Sequence, residues 1–390
     1  MKKNMLKNWF EKTNIDRKFR ILLIMILIIG LIMVFAAYPY TRAGYTLVKK
    51  FFAYAAISLF AMKFFATLDK KNIIRISVLG FLSMFFAMLL LPIIGTTIKG
   101  STRWISLPFF SLQPAEILKP FYCVVATLVI LHIKKMLQKY GTWKNKNIIS
   151  VAGFYAAITG IILIFLYKQP DVGMMFTFIF IVLVQLFISG LKLKYMAILA
   201  MISSTFLILG YMNFNHVHNR INEFFLMPLS SDTQQGIAIR VIKESGLIGG
   251  SNSALLKQYV PDLHTDFIFA AICEVGGFIM ATIVITVLFM FIIRGFRLLR
   301  NYSDDDFKSV SGGGILGFLS FQIIINLLVN LAMFPPKGMI LPFISYGGSG
   351  YLSVSIAVGI LISMFRLELP KEIQIADIKI TDEKRIDANE

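Results

Sequence analysis

Asp262, His264 and Asp266 place two carboxylates and an imidazole close together in the stretch Val-Pro-Asp-Leu-His-Thr-Asp-Phe-Ile-Phe of residues 260–269. The run behind them, 267–293, is apolar and carries a single charged residue, Glu274. Ionisable groups at the mouth of a hydrophobic helix are costly to keep there, which makes these three the first functional candidates. A carboxylate in such a place can take the proton of an attacking hydroxyl or hold a cation against a leaving group.

Three further clusters offer complementary chemistry. The first is Lys99-Gly-Ser-Thr-Arg103-Trp104-Ile105, followed by Gln113-Pro114-Ala115-Glu116-Ile-Leu-Lys119-Pro120. Pro114 suits a first helical position, and Glu116 then falls in the first turn, where the helix dipole favours an anion. Glu116 and Lys119, three residues apart, can pair on one helical face. Arg103 beside Trp104 can clamp a phosphate or simply anchor the chain at an interface. The second cluster is the tight turn Lys168-Gln169-Pro170-Asp171-Val172-Gly173, in which Asp171 is expected to cap the next helix. The third joins Phe334-Pro335-Pro336-Lys337-Gly338 to Leu341-Pro342-Phe343-Ile344-Ser345-Tyr346-Gly347-Gly348-Ser349-Gly350. Prolines and glycines at that density mean irregular backbone, which membrane depth tolerates only against protein or a water-filled cavity.

The elements that must position these groups follow from composition. The chain has 390 residues, 57% hydrophobic and 15% charged, with a mean hydropathy of +0.74. A soluble domain is about 45–50% apolar and about 25% charged, so an all-α polytopic membrane protein is expected. The net charge of +18 sits in short loops between apolar runs rather than on one face, which argues against a nucleic-acid partner. Cys123 and Cys273 lie inside apolar segments without a CxxC partner, so neither a disulfide nor a zinc site is expected. The first apolar run follows a basic head but reads as a retained span rather than a cleaved leader.

A helix needs about 20 mostly apolar residues to cross the bilayer core. Ten stretches qualify: 20–39, 48–67, 73–95, 116–133, 147–167, 172–190, 193–212, 267–294, 311–333 and 347–366. With both termini cytoplasmic, most of the 39 Lys and Arg residues fall on the cytoplasmic side, as the positive-inside rule requires. The expected organisation is a basic tail over 1–19, a ten-helix membrane domain over 20–366 and a flexible cytoplasmic tail over 367–390. One large outer loop, 213–266, holds Arg220 and shows helical periodicity over 221–229 and 236–247, which argues for order. All four clusters then face outward. Cations suit a diphosphate leaving group and a carboxylate suits deprotonation of a hydroxyl, so a lipid-phosphate-linked substrate is one reading. An ion-coupled transporter would present similar carboxylates.

In this order, the clusters resemble the SEDS family of FtsW, RodA and SpoVE. The matching stretches are Arg103-Trp104-Ile105, Gln113-Pro114-Ala115-Glu116 with Lys119, Gln169-Pro170-Asp171-Val-Gly173, Pro261-Asp262-Leu-His264-Thr265-Asp266-Phe267, and Gln322 to Asn326 through Leu341-Pro342-Phe343-Ile-Ser345-Tyr346-Gly347-Gly348-Ser349. Asp16-Arg17, Lys119-Pro120 and Pro336-Lys337-Gly338 resemble the division branch more than the elongation branch. The chain departs from the family pattern at Ala115, at Glu274-Val275, in the turn 246–251 and at Gly350.

The resemblance implies a peptidoglycan glycosyltransferase that polymerises lipid II and releases undecaprenyl diphosphate at the outer face of the cytoplasmic membrane. It implies a class B penicillin-binding transpeptidase and other divisome proteins as partners. It maps the essential acid onto Asp266, as general base or as ligand of a divalent cation, Mg or Mn. Arg103, Arg220 and Lys337 would bind the diphosphate, Glu116 and Lys119 would shape the cavity, Trp104 and Ser345 would contact substrate, and Asp262 and His264 would be structural or substrate-orienting neighbours. A lipid II transporter and a division-site scaffold are the competing classes.

Overall fold

The computed structural model describes residues 15–37, 45–98, 101–107, 111–141, 145–190, 233–250, 263–335 and 338–366, with the single positions 201, 212, 218, 222 and 224. The described elements, in chain order, are α1 (Arg17–Ala37), α2 (Tyr45–Thr67), α3 (Lys70–Ile94), β1 (Thr96–Ile98), β2 (Ser101–Ser106), β3 (Ser111–Leu112), α4 (Pro114–Tyr140), α5 (Lys146–Lys168), α6 (Val172–Ile188), α7 (Gln234–Glu244), α8 (Ile268–Arg300), α9 (Asp306–Asn330) and α10 (Gly348–Phe365). Eight of these helices are long and apolar enough to cross a membrane, and α6 is a shorter apolar helix. They account for nine of the ten expected spans. The tenth, 193–212, lies outside the described residues apart from Met201 and Met212, as does 221–229 apart from Asn222 and Phe224.

Short polar residues start the helices where the spans begin. Asp69, Asn145, Asp171 and Asp305 each accept a backbone N–H from the first turn of α3, α5, α6 and α9 respectively. The expected capping role of Asp171 is thereby met. The centre of the bundle is α4, α9 and α10, the most buried of the spans. α10 packs on α2 and α4, α9 on α6 and α8, and α1 on α8.

Ion pairs gather helix ends on one side. Arg294 near the end of α8 donates to Asp16 ahead of α1 (Nε–Oδ1 2.9 Å). Lys70 at the start of α3 pairs with Asp305 at 3.1 Å, and Lys134 on α4 pairs with Asp306 at 2.9 Å. Arg366, after α10, donates to the carbonyl of Ala66 near the end of α2 at 2.6 Å. This side carries the basic loops and is cytoplasmic by the positive-inside rule; the clusters singled out in the sequence lie at the opposite end.

The outer segment between α3 and α4 is a small antiparallel sheet, β1-β2-β3, with Thr96 opposite Trp104 and Ile105 opposite Leu112. Its Thr, Ser, Ile and Trp residues suit a pleated, half-buried surface, so the all-α membrane domain carries a three-stranded cap.

The span expected over 267–294 is present as α8, with one irregularity. The stretch 267–294 does not form an uninterrupted helix: α8 breaks at Gly277 (φ 61°, ψ −160°). A broken helix frees backbone groups that lipid cannot satisfy. The turn 246–250, directly after α7, fills the break. The Gly250 N–H donates to the Glu274 carbonyl at 2.7 Å, while Phe278 and Ile279 donate to the carbonyls of Gly246 (3.0 Å) and Leu247 (3.2 Å). A Cβ at Gly277 would meet the Leu247 carbonyl at 2.4 Å, and one at Gly249 the Glu274 carbonyl at 2.6 Å.

Candidate functional site

Asp266 stands two residues before α8, in a turn formed by residues 263–267. Three successive carbonyls of this turn are held from elsewhere. The Tyr346 N–H donates to the His264 carbonyl at 2.9 Å. The Ser345 hydroxyl donates to the Thr265 carbonyl at 2.6 Å. The amides of Asn326 and Asn330 on α9 donate to the Asp266 carbonyl at 3.0 and 2.9 Å. Phe267 cannot cap α8 with its side chain; instead Asn330 Oδ1 accepts the Ala270 N–H at 3.2 Å from the neighbouring helix.

The Asp266 side chain, half-buried, faces the chain at Gly338. A Cβ added there would lie 3.0 Å from Asp266 Oδ2 and 3.6 Å from Oδ1. The His264 ring lies 5.5 Å from that of Tyr346, which in turn meets Tyr54 at 6.1 Å. The Tyr54 hydroxyl accepts the Ser111 N–H at 3.2 Å, so the aromatic row links the Asp266 turn to the sheet. Burial first, then the neighbouring Tyr54, push the Tyr346 hydroxyl up to about 12, which keeps it a neutral group at any working pH.

A second polar centre lies on α4. Lys119 Nζ sits 2.6 Å from Glu116 Oε2, with the lysine wholly buried and the carboxylate close to it. The pair forms at the spacing the sequence suggested, by proximity rather than through an aligned hydrogen bond. The Phe318 ring of α9 lies 5.5 Å from the ammonium. Ser353 on α10 donates to the Glu116 carbonyl at 2.6 Å. Gly350 lets the Ile340 side chain pack close beside the carboxylate: a Cβ there would meet Ile340 Cδ1 at 2.5 Å, with Glu116 Oε2 at 3.7 Å.

Arg103 holds the third centre together. Its Nε donates to the Gln169 carbonyl at 2.7 Å and its Nη2 to the Pro170 carbonyl at 2.7 Å. Its Nη1 lies 3.4 Å from Asp171, which also accepts from the Gln113 amide at 3.2 Å. The Gln113 N–H donates to Ser349 at 3.0 Å, tying the start of α4 to the start of α10. Trp104 sits half-buried on β2, its carbonyl accepting from Thr96 at 3.1 Å.

The structure thus brings Asp266, His264 and Ser345 into one turn-and-strap unit, pairs Glu116 with Lys119, and sets Arg103 to brace the outer turn. Ser345 is completely buried, and its oxygen also accepts the Leu341 N–H at 2.8 Å, so it holds backbone. Asp262, Arg220 and Lys337 lie outside the described residues. Among the described residues no group of three or more His, Cys, Asp or Glu could hold a metal ion. The carboxylate of Asp266 and the imidazole of His264 are the ionisable side chains that this turn carries.

Sequence reasoning passed over Asn326 and Asn330 as individuals. The signal was present: two amides one helical turn apart inside an apolar run are expensive to bury unless they have fixed partners. Gly338 carried no such signal, because only the fold sets its backbone beside a carboxylate.

A family model described as cell cycle protein, covering FtsW, RodA and SpoVE, matches residues 16–368. The chain belongs to this family. A probable peptidoglycan glycosyltransferase FtsW of Caulobacter vibrioides is 32% identical over 348 residues, covering 87% of this chain and 86% of that one. The stage V sporulation protein E of Bacillus subtilis is 29% identical, covering 91% and 98%. Among solved structures, a chain from a study of polymerization and crosslinking by a peptidoglycan synthase complex has a TM-score of 0.72 at 19% identity, covering 90% of this chain and 98% of that one. The rod shape determining protein RodA of Thermus thermophilus has a TM-score of 0.66 at 20% identity, covering 91% and 98%. At those identities the structures establish the family's fold here, that of a multi-pass membrane protein.

Proposed function

We propose that the chain polymerises lipid II at the outer face of the cytoplasmic membrane during division, with Asp266 as its general base. The enzyme is a peptidoglycan glycosyltransferase, the activity for which its FtsW relatives are named. The observation that carries the assignment of Asp266 is the turn around it. Every backbone carbonyl from 264 to 266 is held internally, while the carboxylate faces a glycine.

In the reaction, the 4-hydroxyl of the acceptor GlcNAc attacks C1 of the donor MurNAc. The new glycosidic bond forms as the C1–O bond to undecaprenyl diphosphate breaks, and the hydroxyl proton passes to Asp266. General base catalysis of this kind contributes about 10²–10⁴-fold. Lys337 and Arg220 would neutralise the departing diphosphate. Arg103 would act on the substrate through the 169–171 turn that it braces, and the Glu116–Lys119 pair would line the inner end of the site. A class B penicillin-binding transpeptidase, with other division proteins, would cross-link the product at the septum.

Full-length protein supplied with lipid II in detergent tests the reading. Glycan chains that disappear in Asp266→Ala, and that survive chelation of divalent cations, support it. Movement of lipid II across liposome membranes without any polymer, transpeptidase present, would instead mark a transporter.

A further inference from the structure

We propose that Asn326 is a positioning residue: it sets the distance between the Asp266 carboxylate and the backbone at Gly338, and thereby the rate of the polymerisation step. The inference rests on Asp266 acting as the base. A carboxamide nitrogen has two hydrogens to donate. One of those on Asn326 goes to the Asp266 carbonyl at 3.0 Å and the other to the Met339 carbonyl at 2.6 Å. A single buried side chain therefore ties the catalytic turn to the residue directly after Gly338.

The neighbouring bonds make this tie rigid. Asn330, one helical turn along α9, also donates to the Asp266 carbonyl at 2.9 Å, filling its second lone pair, and to the Asn326 carbonyl at 2.9 Å. Ser345 and Tyr346 hold the two preceding carbonyls from the far end of the same strap. On the other side of the carboxylate stands Gly338, where a Cβ would approach Oδ2 to 3.0 Å. The slot over the carboxylate is thus bounded by a backbone that Asn326 itself positions, although none of its bonds to Asp266 involves a carboxylate oxygen. Aspartate in place of Asn326 would set a third oxygen against two carbonyls, and alanine would cut the tie, taking the donor from the Met339 carbonyl and leaving the Asp266 carbonyl to Asn330 alone. An ångström of misplacement at a reacting group can cost about 10²-fold in rate.

The test uses full-length protein and lipid II, with kcat, KM and thermal stability measured for Asn326→Ala, Asn326→Asp, Gly338→Ala, the Asn326→Ala/Gly338→Ala pair and Asp266→Ala. Both Asn326 variants are expected to lose about 10–100-fold in kcat with KM within about twofold of wild type. Gly338→Ala, which removes no donor or acceptor, should reproduce the kcat loss, and the pair should lose less than the product of the two single losses. A fall in melting temperature with kcat per folded molecule unchanged would reduce Asn326 to a structural role and overturn the proposal. So would a rise in KM at constant kcat, which would make it a substrate contact. If the Asn326 variants do not fold, wild-type kcat in Gly338→Ala refutes the proposal on its own. Wild-type kcat in Asp266→Ala would sink the base reading itself, whereas an inactive Asp266→Ala beside fully active Asn326 variants sinks only this inference.

Discussion

The guanidinium of Arg103 lies 3.4 Å from the carboxylate of Asp171 and at the same time donates to the two carbonyls preceding it in the chain. Arginine's planar fork suits this threefold grip, and lysine's single ammonium does not. Arg103→Lys should therefore lower polymerase activity several-fold although the charge is kept. Arg103→Ala should lower both activity and melting temperature, with Asp171 left buried beside fewer donors, at a cost of about 1–3 kcal/mol. Wild-type activity and stability in Arg103→Lys would show that the grip is dispensable.

The Glu116–Lys119 pair makes a different prediction. Removing one partner from a buried pair leaves an uncompensated charge and costs about 3–5 kcal/mol, while replacing both by apolar groups can be close to neutral. Lys119→Met alone should destabilise the protein more than Lys119→Met combined with Glu116→Leu. If the double variant folds well yet does not polymerise lipid II, the pair serves the site; if it is active, the pair serves only burial. Thermal unfolding alongside the polymerisation assay separates the two.

The break in α8 depends on two backbones meeting without side chains. Gly277→Val and Gly249→Val each place a side chain at a positive φ, and each inserts a Cβ within 2.4 and 2.6 Å, respectively, of a carbonyl of the partner segment, well inside van der Waals contact. Each should cost at least the 1–3 kcal/mol of a strained backbone. Proteolysis of the outer loop should speed up in both variants. Unchanged cleavage would mean that the turn is held by something other than this stitch.

On the cytoplasmic side, the hydrogen bond from Arg294 holds the Asp16 carboxyl below its ordinary value of 3.8, against a smaller opposing effect of burial. A depressed carboxyl stabilises the fold fully above its unfolded pKa and loses that contribution as pH falls through the folded one. Melting temperature should therefore drop below about pH 4 more steeply in the wild type than in Asp16→Asn. Parallel curves would show that the pair is too solvent-exposed to matter.

An ionisable group at a helix mouth needs a reason to be there, which marked Asp262, His264 and Asp266 alike in the linear sequence; only the resemblance narrowed the three to Asp266. Glu116 and Lys119 were visible as a pair because helical spacing is local, and Asp171 as a cap for the same cause. The spans and their orientation followed from hydropathy and charge placement, which the bilayer imposes on each segment separately. What only the fold decided is everything that joins distant segments. Arg103 proved to hold carbonyls rather than standing open, Ser345 to brace Thr265, and an apparently continuous helix to break at Gly277 around a turn from the outer loop. Asn326 and Gly338 fall inside stretches that carry the resemblance, but the sequence assigns neither of them a role. Their meaning is a distance to Asp266, set by how α9 and the strap before α10 pack against the start of α8, and no periodicity along the chain encodes such a distance.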